Sequence, residues 1–550
     1  MRFNESILLP SLFSFTSAFE CTPSAFQAHL PPNAKIAYTR DLPDNSTFEV
    51  PLGDIAYPIS PQGLQALCAV QVNVTSSPSS AFSFGLFLPQ QWNQRFLAVG
   101  NGGFAGGINW LDMAAGVGYG FASMSTDTGH NSTSGDITWA LDEPEKKIDF
   151  GYRAMHGSVE LAKKLTEAFY AGSIDYAYYS GCSTGGRQGL KEVEMFPDDF
   201  DGVLAGAPAW WTAHLQPWTI KLGLYNLPVT AEYHIPLSLF PAIGAEVLKQ
   251  CDVQDGLADN IIMDPHRCNF EPETLLCGPG VTNQTQAGCL TAAQIGTLYH
   301  IYNDYVDVNQ TFVFPHLELG SEAQWLVLLG TSTPNPLGYE YPQYFLDLGP
   351  DWDYNDFDYS IVQLADRTDP GNASATDFDI SPFQAKGGKL LTYHGYSDAL
   401  IPTGSSLLFY KEVLKTLHPK GIDLDSFYRH FPVPGLQHCA GTPPDVNAPW
   451  YFAGGGQAGA LYPPGAVHSV PGFTDPQHDI LLALMEWTEK GTAPEQIIAT
   501  KWQNDTLYDD VYRQRPLCPY PKQAMYQGGD ANDAASWKCD YLYDMTAQYN

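Results

Sequence analysis

Gly181-Cys182-Ser183-Thr184-Gly185 and Gln437-His438-Cys439 each set a residue of nucleophilic chemistry beside a cysteine. A serine hydroxyl attacks a carbonyl poorly unless a base takes its proton and an acid orients that base. Ser183, His438 and an intervening carboxylate, Asp398 in His394-Gly395-Tyr396-Ser397-Asp398, supply the three types in the chain order nucleophile, acid, base. Asp445 is the rival acid, and His394 and His430, within or at the edge of expected strands, are read as structural. If Cys182 and Cys439 form a disulfide, their Cα atoms sit about 4.4–6.8 Å apart, and Ser183 and His438 are drawn into hydrogen-bond range. An oxyanion formed on such a serine needs two backbone N–H donors, one following the nucleophile and one from the loop after an earlier strand. Thr184 is the first, Gly102 or Gly103 the second, and Asp127 and His130 nearby are read as structural.

A nucleophile of this kind requires a strand, a sharp turn between small residues, and a helix. The pattern around Ser183 meets that demand: a strand at Tyr176–Tyr179, the glycine-flanked turn, and a helix from Arg187 to Met195 stopped by Pro197. Upstream, a strand at Arg95–Val99 runs into the loop Gly100–Gly107, a second covers Gly120–Ser125, and apolar residues at helical spacing predict a helix over Arg153–Tyr170. A strand at Gly202–Gly206 follows, so strands alternate with helices as in a parallel α/β sheet. The stretch up to about Ser80 reads as β structure pinned by Cys21 and Cys68. From Ala209 the chain turns aromatic-rich and loop-rich, and strand grammar resumes at Lys389–Gly395, with a later strand near Phe427–Phe431 and a helix over His478–Gly491. The expected architecture is an α/β-hydrolase core with a large lid-domain insertion. Residues 1–18 form a signal peptide, 19–208 the first part of the core, 209–380 the lid, and 381–550 the second part.

Of 550 residues, 44% are hydrophobic and 16% charged, the composition of a globular chain. Lys and Arg number 27 against 60 Asp and Glu, a net charge of −33 that repels nucleic acid. No apolar run reaches the length of a membrane span. The N-terminus, with Ile7-Leu8-Leu9 and a small-residue site at Thr16-Ser17-Ala18, reads as a secretory signal. Asn-x-Ser/Thr sequons at Asn45, Asn73, Asn131, Asn283, Asn309, Asn372 and Asn504 agree with a secreted, glycosylated chain. Ten cysteines, none in a CxxC pair, favour disulfides over zinc. Local proximity suggests Cys21–Cys68, Cys251–Cys268, Cys277–Cys289 and Cys518–Cys539, with Cys182–Cys439 as the long-range pair, although spacing alone leaves other connectivities open.

Within the insertion, Asp252-Val253-Gln254-Asp255-Gly256-Leu257-Ala258-Asp259-Asn260-Ile261 places three carboxylates around a glycine. That is the oxygen-rich demand of Ca²⁺, without the twelfth-position Glu of an EF-hand. A solvated acidic turn is the alternative reading.

Taken together, Cys182-Ser183, Asp398 and His438-Cys439 resemble the fungal tannase and feruloyl esterase family, which carries a Cys-Ser, Asp, His-Cys arrangement with the two cysteines bridged. The likeness runs through Gly100-Asn101-Gly102-Gly103, Tyr179 to Gly189, Gly387 to Leu391 and Gly435 to Cys439. It implies a serine carboxylesterase acting on phenolic-acid esters, either hydroxycinnamoyl esters of plant polysaccharide or quinate, or galloyl esters. It also implies a structural calcium held by Asp252, Asp255, Asp259 and the carbonyls of Leu257 and Ile261, and no organic cofactor. Thr184 and Gln188 look more like the feruloyl branch. An aromatic-rich lid agrees with stacking on a phenolic ring. Expected partners are the small phenolic ester and no nucleic acid or membrane, for a monomer or homodimer. A secreted binding module that keeps the fold without activity is the reading from another class.

Overall fold

The computed structural model describes residues 19–461 and 468–541; the expected signal peptide, residues 1–18, lies outside them. Eleven strands precede the C-terminal part: β1 (Ala34–Leu42), β2 (Leu67–Ser77), β3 (Ser80–Pro89), β4 (Arg95–Val99), β5 (Ala122–Thr126), β6 (Tyr176–Cys182), β7 (Gly202–Gly206), β8 (Tyr305–Asp307), β9 (Thr311–Phe314), β10 (Lys389–Gly395) and β11 (Tyr428–Val433). Nine of them form one sheet in the order β1-β2-β3-β5-β4-β6-β7-β10-β11. The first three strands are antiparallel, joined through the antiparallel β3–β5 pair to a parallel run from β5 to β11.

The parallel strands explain their own composition. Arg95-Phe96-Leu97-Ala98-Val99 and Gly202-Val203-Leu204-Ala205-Gly206 lack polar alternation because helices cover both faces of the sheet. One face buries Phe96, Ala98, Met155, Val159, Tyr179, Val203 and Leu390; the other buries Leu97, Val99, Tyr178, Leu204, Leu391, Leu484 and Trp487. The helix Ala154–Tyr170 supplies Met155, Val159, Ala162 and Leu165 to the first face, as its spacing predicts.

Three differences from the expected elements have physical causes. The helix after the turn starts at Thr184, three residues earlier than its apolar pattern suggests, because Gly185 and Gly186 propagate a helix weakly but pack it closely. The predicted helix from Arg153 begins at Ala154, after a π-helical turn over Asp149–Arg153. Beyond the helix Ile480–Lys490 lie two hairpins absent from the sequence reading: β12 (Ile497–Trp502) with β13 (Val511–Leu517), and β14 (Gln523–Tyr526) with β15 (Trp537–Asp540).

Between β7 and β10 the chain leaves the sheet and builds a separate apolar cluster from Leu215, Trp218, Leu222, Phe240, Ile243, Val247, Leu298 and Trp325. Ala399 and Ile401, just past β10, belong to the same cluster, so the inserted segment packs directly against the loop that carries Asp398. Trp210, Trp218 and Trp325 are buried in packing. The bridges are Cys21–Cys68, Cys182–Cys439, Cys251–Cys268, Cys277–Cys289 and Cys518–Cys539, the five expected pairs. Among the described residues no helix is long and apolar enough to cross a membrane.

Candidate active site

Ser183 follows β6 at φ 64°, ψ −124°, a conformation side chains rarely adopt, and the helix Thr184–Met195 starts at once. The flanking glycines make the turn possible: a Cβ on Gly181 would stand 2.7 Å from the Gly185 carbonyl carbon, and one on Gly185 would meet the backbone of Gly100 and Asn101 at 3.1 Å. The Ser183 amide donates to the Gly206 carbonyl at 3.0 Å, and its carbonyl accepts from Arg187 and Ala209. The hydroxyl is thereby set at the C-terminal end of the parallel strands.

The acid loop follows β10. Asp398 is fully buried, and both of its carboxylate oxygens are engaged: Oδ1 accepts the amides of Leu400 at 2.8 Å and Ile401 at 3.0 Å, while Oδ2 lies 2.7 Å from His438 Nδ1 and 3.0 Å from His394 Nε2. Burial alone would raise this carboxyl, but the charge of His438 and the hydrogen bonds from both histidines hold it well below the ordinary carboxylate range. His438 follows β11, and its side chain is 13% exposed. Because Nδ1 faces Asp398, Nε2 is the nitrogen left for another partner.

The bridge Cys182–Cys439 spans a sequence separation of 257 residues with Cα atoms 6.0 Å apart, tying the residue before Ser183 to the residue after His438. Cys439 stands at φ 59°, and its carbonyl accepts from Gln457 Nε2 at 3.2 Å. Gln324 of the inserted segment adds a second brace, its Oε1 accepting from the Ala399 amide at 3.0 Å and the His438 amide at 3.4 Å.

The Gly100–Gly107 loop lies against the start of the Ser183 helix. Gln188 clamps Asn101 from both sides, accepting its amide at 3.0 Å and donating to its Oδ1 at 3.1 Å. Thr184 Oγ1 donates to the Gly103 carbonyl at 2.7 Å. The structure separates the two candidate glycines: the Gly102 amide already donates to the Tyr57 hydroxyl at 2.8 Å, whereas the Gly103 amide, at φ 55°, has no hydrogen-bond partner among the described residues. His130 braces the same loop through the Phe104 carbonyl at 2.9 Å and stacks on Trp139; burial pushes its pKa down to about 4. Asp127 accepts the Ser83 and Gly129 amides, and burial pushes it up to about 7. Asp445 is exposed, far from the role of an acid, with its carbonyl bound by Asn260. His430 is buried against Thr392 at 2.9 Å.

The acidic loop lies apart, in the inserted segment, where Cys251–Cys268 flanks it. The amides of Leu257, Asp259 and Ile261 donate to Asp255 Oδ1, Asp252 Oδ1 and Asp259 Oδ1, which curls the chain around its carboxylates. Burial raises Asp252 and Asp255, and the charge of Asp259 raises both further. Asp255 Oδ2 is buried without a partner, while Asp259 Oδ2 takes Arg515 at 2.6 Å. Of the three carboxylates only Asp255 keeps a buried, orphaned oxygen, a hard donor of the kind that Ca²⁺ takes at six to eight positions. All seven sequon asparagines are exposed.

Tyr57, Gln188, Gln324 and His394 are the site residues to which the sequence reading gave no part in the geometry. Gln188 alone carried a signal, through its place one helical turn after Thr184.

The model of the tannase and feruloyl esterase family matches residues 68–313 and 354–540. The probable feruloyl esterase B-2 of Aspergillus fumigatus is 34% identical over 542 residues, covering 97% of this chain and 99% of that protein. The probable feruloyl esterase B-1 of Aspergillus oryzae is 37% identical over 475 residues, 86% of this chain and 84% of its own length. Among solved structures, feruloyl esterase B from Aspergillus oryzae superposes with a TM-score of 0.85 at 34% identity, over 95% of this chain and 100% of that one. The tannin acyl hydrolase from Aspergillus niger shares the fold at a TM-score of 0.74 and 23% identity, over 96% and 97%. With a matched family model, full-length relatives and the sheet in common, the chain belongs to the tannase and feruloyl esterase family of carboxylic ester hydrolases.

Proposed function

We propose that this chain is a secreted serine carboxylesterase that cleaves esters of phenolic acids, hydroxycinnamoyl (feruloyl or caffeoyl) esters of plant cell-wall polysaccharide or quinate before galloyl esters. The observation that carries the reading is the 2.7 Å contact of His438 Nδ1 with a buried and fully hydrogen-bonded Asp398, on a histidine covalently tethered next to Ser183. In this mechanism His438 Nε2 takes the Ser183 proton as the oxygen attacks the ester carbonyl. Asp398 holds the ring in that tautomer and offsets the imidazolium charge. The amides of Thr184 and Gly103 receive the oxyanion, which makes Gly103 the donor in preference to Gly102. The alcohol leaves with the proton from His438, and water repeats the sequence to free the acid.

Residues 209–380 serve as the lid. Its buried tryptophans give it rigidity, and Gln324 joins it to the loops of Asp398 and His438. A structural calcium is held by Asp252, Asp255, Asp259 and the carbonyls of Leu257 and Ile261; it neutralises the loop and takes no part in ester cleavage. The names of the relatives, feruloyl esterase B, and the Thr184 and Gln188 pattern favour the hydroxycinnamoyl class. Five disulfides and seven exposed sequons suit secretion. Rates on methyl ferulate, methyl caffeate, chlorogenate and methyl gallate, with Ser183→Ala as control, test the assignment. Release of ferulate and caffeate ahead of gallate is expected. A preference for gallate would move the chain to the tannase reading, and full activity of Ser183→Ala would remove the serine mechanism.

A further inference from the structure

The sequence pattern makes His394 a strand histidine filling the core, and its burial on β10 is consistent with that. Its hydrogen bonds say more. Nε2 lies between two acceptors, Asp398 Oδ2 at 3.0 Å and the Ile401 carbonyl at 2.9 Å, so that nitrogen carries the hydrogen. Nδ1 is then the acceptor, and Ser406 Oγ, on the helix Thr403–Leu417, stands 2.8 Å away to donate to it. The serine fixes the ring's tautomer and the ring in turn presents an N–H to the same carboxylate oxygen that faces His438. A histidine serving only to fill the core would be satisfied by Ser406 and Ile401.

We propose that His394 is a positioning residue of the ester-cleaving centre, fixing Asp398 Oδ2 by its Nε2–H so that His438 is oriented toward Ser183, with Ser406 setting the tautomer. The inference rests on the assignment of Ser183, Asp398 and His438 as the reacting triad. Asp398 has no freedom to turn while four donors hold it, two amides on Oδ1 and two imidazoles on Oδ2. With His394 removed, Oδ2 keeps one donor and the carboxylate swings on its remaining contacts, carrying His438 out of line. The carboxylate also becomes a stronger base and a stronger partner for the His438 imidazolium, which moves the acid limb of the rate profile to higher pH. The titratable groups of β11 that meet Thr392 on this side of β10 are Tyr428, which burial pushes up, and His430, which burial pushes down to about 3, so neither brings a competing charge.

His394→Leu, His394→Gln and Ser406→Ala separate positioning from packing. For each, kcat and KM on methyl ferulate are measured against pH, with rates expressed per site titrated by a fluorophosphonate, beside the Tm. In His394→Leu, kcat per titrated site should fall by about ten- to a hundredfold, the range by analogy with loss of the outer partner that orients a metal-binding histidine. KM should hold and the acid limb should rise. His394→Gln, whose amide N–H takes the place of Nε2, should restore most of kcat, and Ser406→Ala should shift the limb in the same direction by less. A lowered Tm with native kcat per site and an unmoved limb in His394→Leu and Ser406→Ala would overturn the proposal. If His394→Leu does not fold, the other two decide: an unmoved limb in Ser406→Ala together with a Gln variant no better than a partly unfolded one overturns it. Failure of the triad reading looks different, as a native chain that the fluorophosphonate does not label.

Discussion

Asp398, against the His438 that precedes the bridged Cys439, and Asp255, just after the bridged Cys251, stand in opposite electrostatic states. Asp398 is buried with four donors on its two oxygens, and its pKa is held down against the pull of burial. Asp255 shares its loop with Asp252 and Asp259, has one amide on Oδ1, leaves Oδ2 buried and unpartnered, and is pushed up. One carboxylate is completed by the chain itself, while the other keeps an oxygen that no group of the chain completes. A carboxylate finished within the fold is preorganised to orient a base. One left short of donors costs stability until something binds. The same side chain thus stands satisfied in one loop and short of donors in the other, the contrast on which the proposed triad and the proposed calcium site rest.

The sharpest way to break this contrast is at the nucleophile and its acid. Ser183→Ala should lower kcat on methyl ferulate by about 10⁴-fold or more, and Asp398→Asn by about 10³- to 10⁴-fold, because the wrong tautomer of His438 is then held. Asp255→Asn, by contrast, should leave kcat within about twofold in the presence of calcium, since it lies outside the reacting centre. Steady-state rates on purified variants decide it; a collapse of kcat in Asp255→Asn with the fold intact would end the division of labour.

Next in size is the bridge at the elbow. Cys182→Ala with Cys439→Ala should lower kcat by about ten- to a hundredfold through misplacement of His438 relative to Ser183. It should also lower stability by up to about 5 kcal/mol, the loop-closure value for so long a ring and an upper bound given residual structure in the unfolded chain. Kinetics well below the melting transition separate the two effects, and unchanged turnover there would show that Gln324 and Gln457 suffice to place His438. Smaller again, calcium removal by a chelator should lower Tm by about 2–3 °C, the effect in a chain of 550 residues of losing a ligand present at about a hundred times its Kd. Asp255→Asn should abolish most of that calcium-dependent difference, while Asp398→Asn should preserve it.

The elbow was legible because its requirements are local: two glycines, a strand before and a helix after, all within a dozen residues. The pairing of Asp398 with His438 was legible through chain order, and the cysteines next to Ser183 and His438 supplied a long-range constraint that sequence rarely carries. What sequence could not show depends on register and on approach across the fold. Tyr57 meets Gly102 from a stretch with no regular pattern. Gln324 reaches the loops of Asp398 and His438 from an insertion whose own core hides the contact. His394 looks like any strand residue until the turn after β10 brings Asp398 back against its ring. The C-terminal hairpins escaped because strands of four to seven residues, with Arg513 and Arg515 buried among them, lack clean alternation. Trp218 and Trp325 of the insertion, whose aromatic wealth agreed with stacking on a phenolic ring as well as with packing, are spent on packing.

The smallest effect expected is a slope of stability with pH, and its sign follows from buried acids unlike Asp398. Burial pushes Asp112 and Asp479 up to about 6 and Asp127 up to about 7. A carboxyl with a raised folded pKa contributes fully below its unfolded value and loses that contribution as pH climbs to the folded value. His266 acts in the same direction: burial lowers it, yet Glu318 and Asp264 reverse this and push it up to about 10, so its contribution is complete below its unfolded value and fades as pH rises toward about 10. Asp398 runs the other way, contributing above its unfolded value and losing the contribution only as pH falls well below it. The sum places maximal Tm in mild acid, with a shallow fall toward pH 8, since each tenfold difference in proton affinity between folded and unfolded chain is worth about 1.4 kcal/mol before screening. The net charge of −33 adds repulsion in the same direction, so one variant must separate local from global. Asp127→Asn keeps an acceptor for the Ser83 and Gly129 amides and cannot ionise; measured with calcium held constant, it should flatten the slope between about pH 4 and 7. An Asp127→Asn slope equal to that of the native chain would assign the whole dependence to net charge instead.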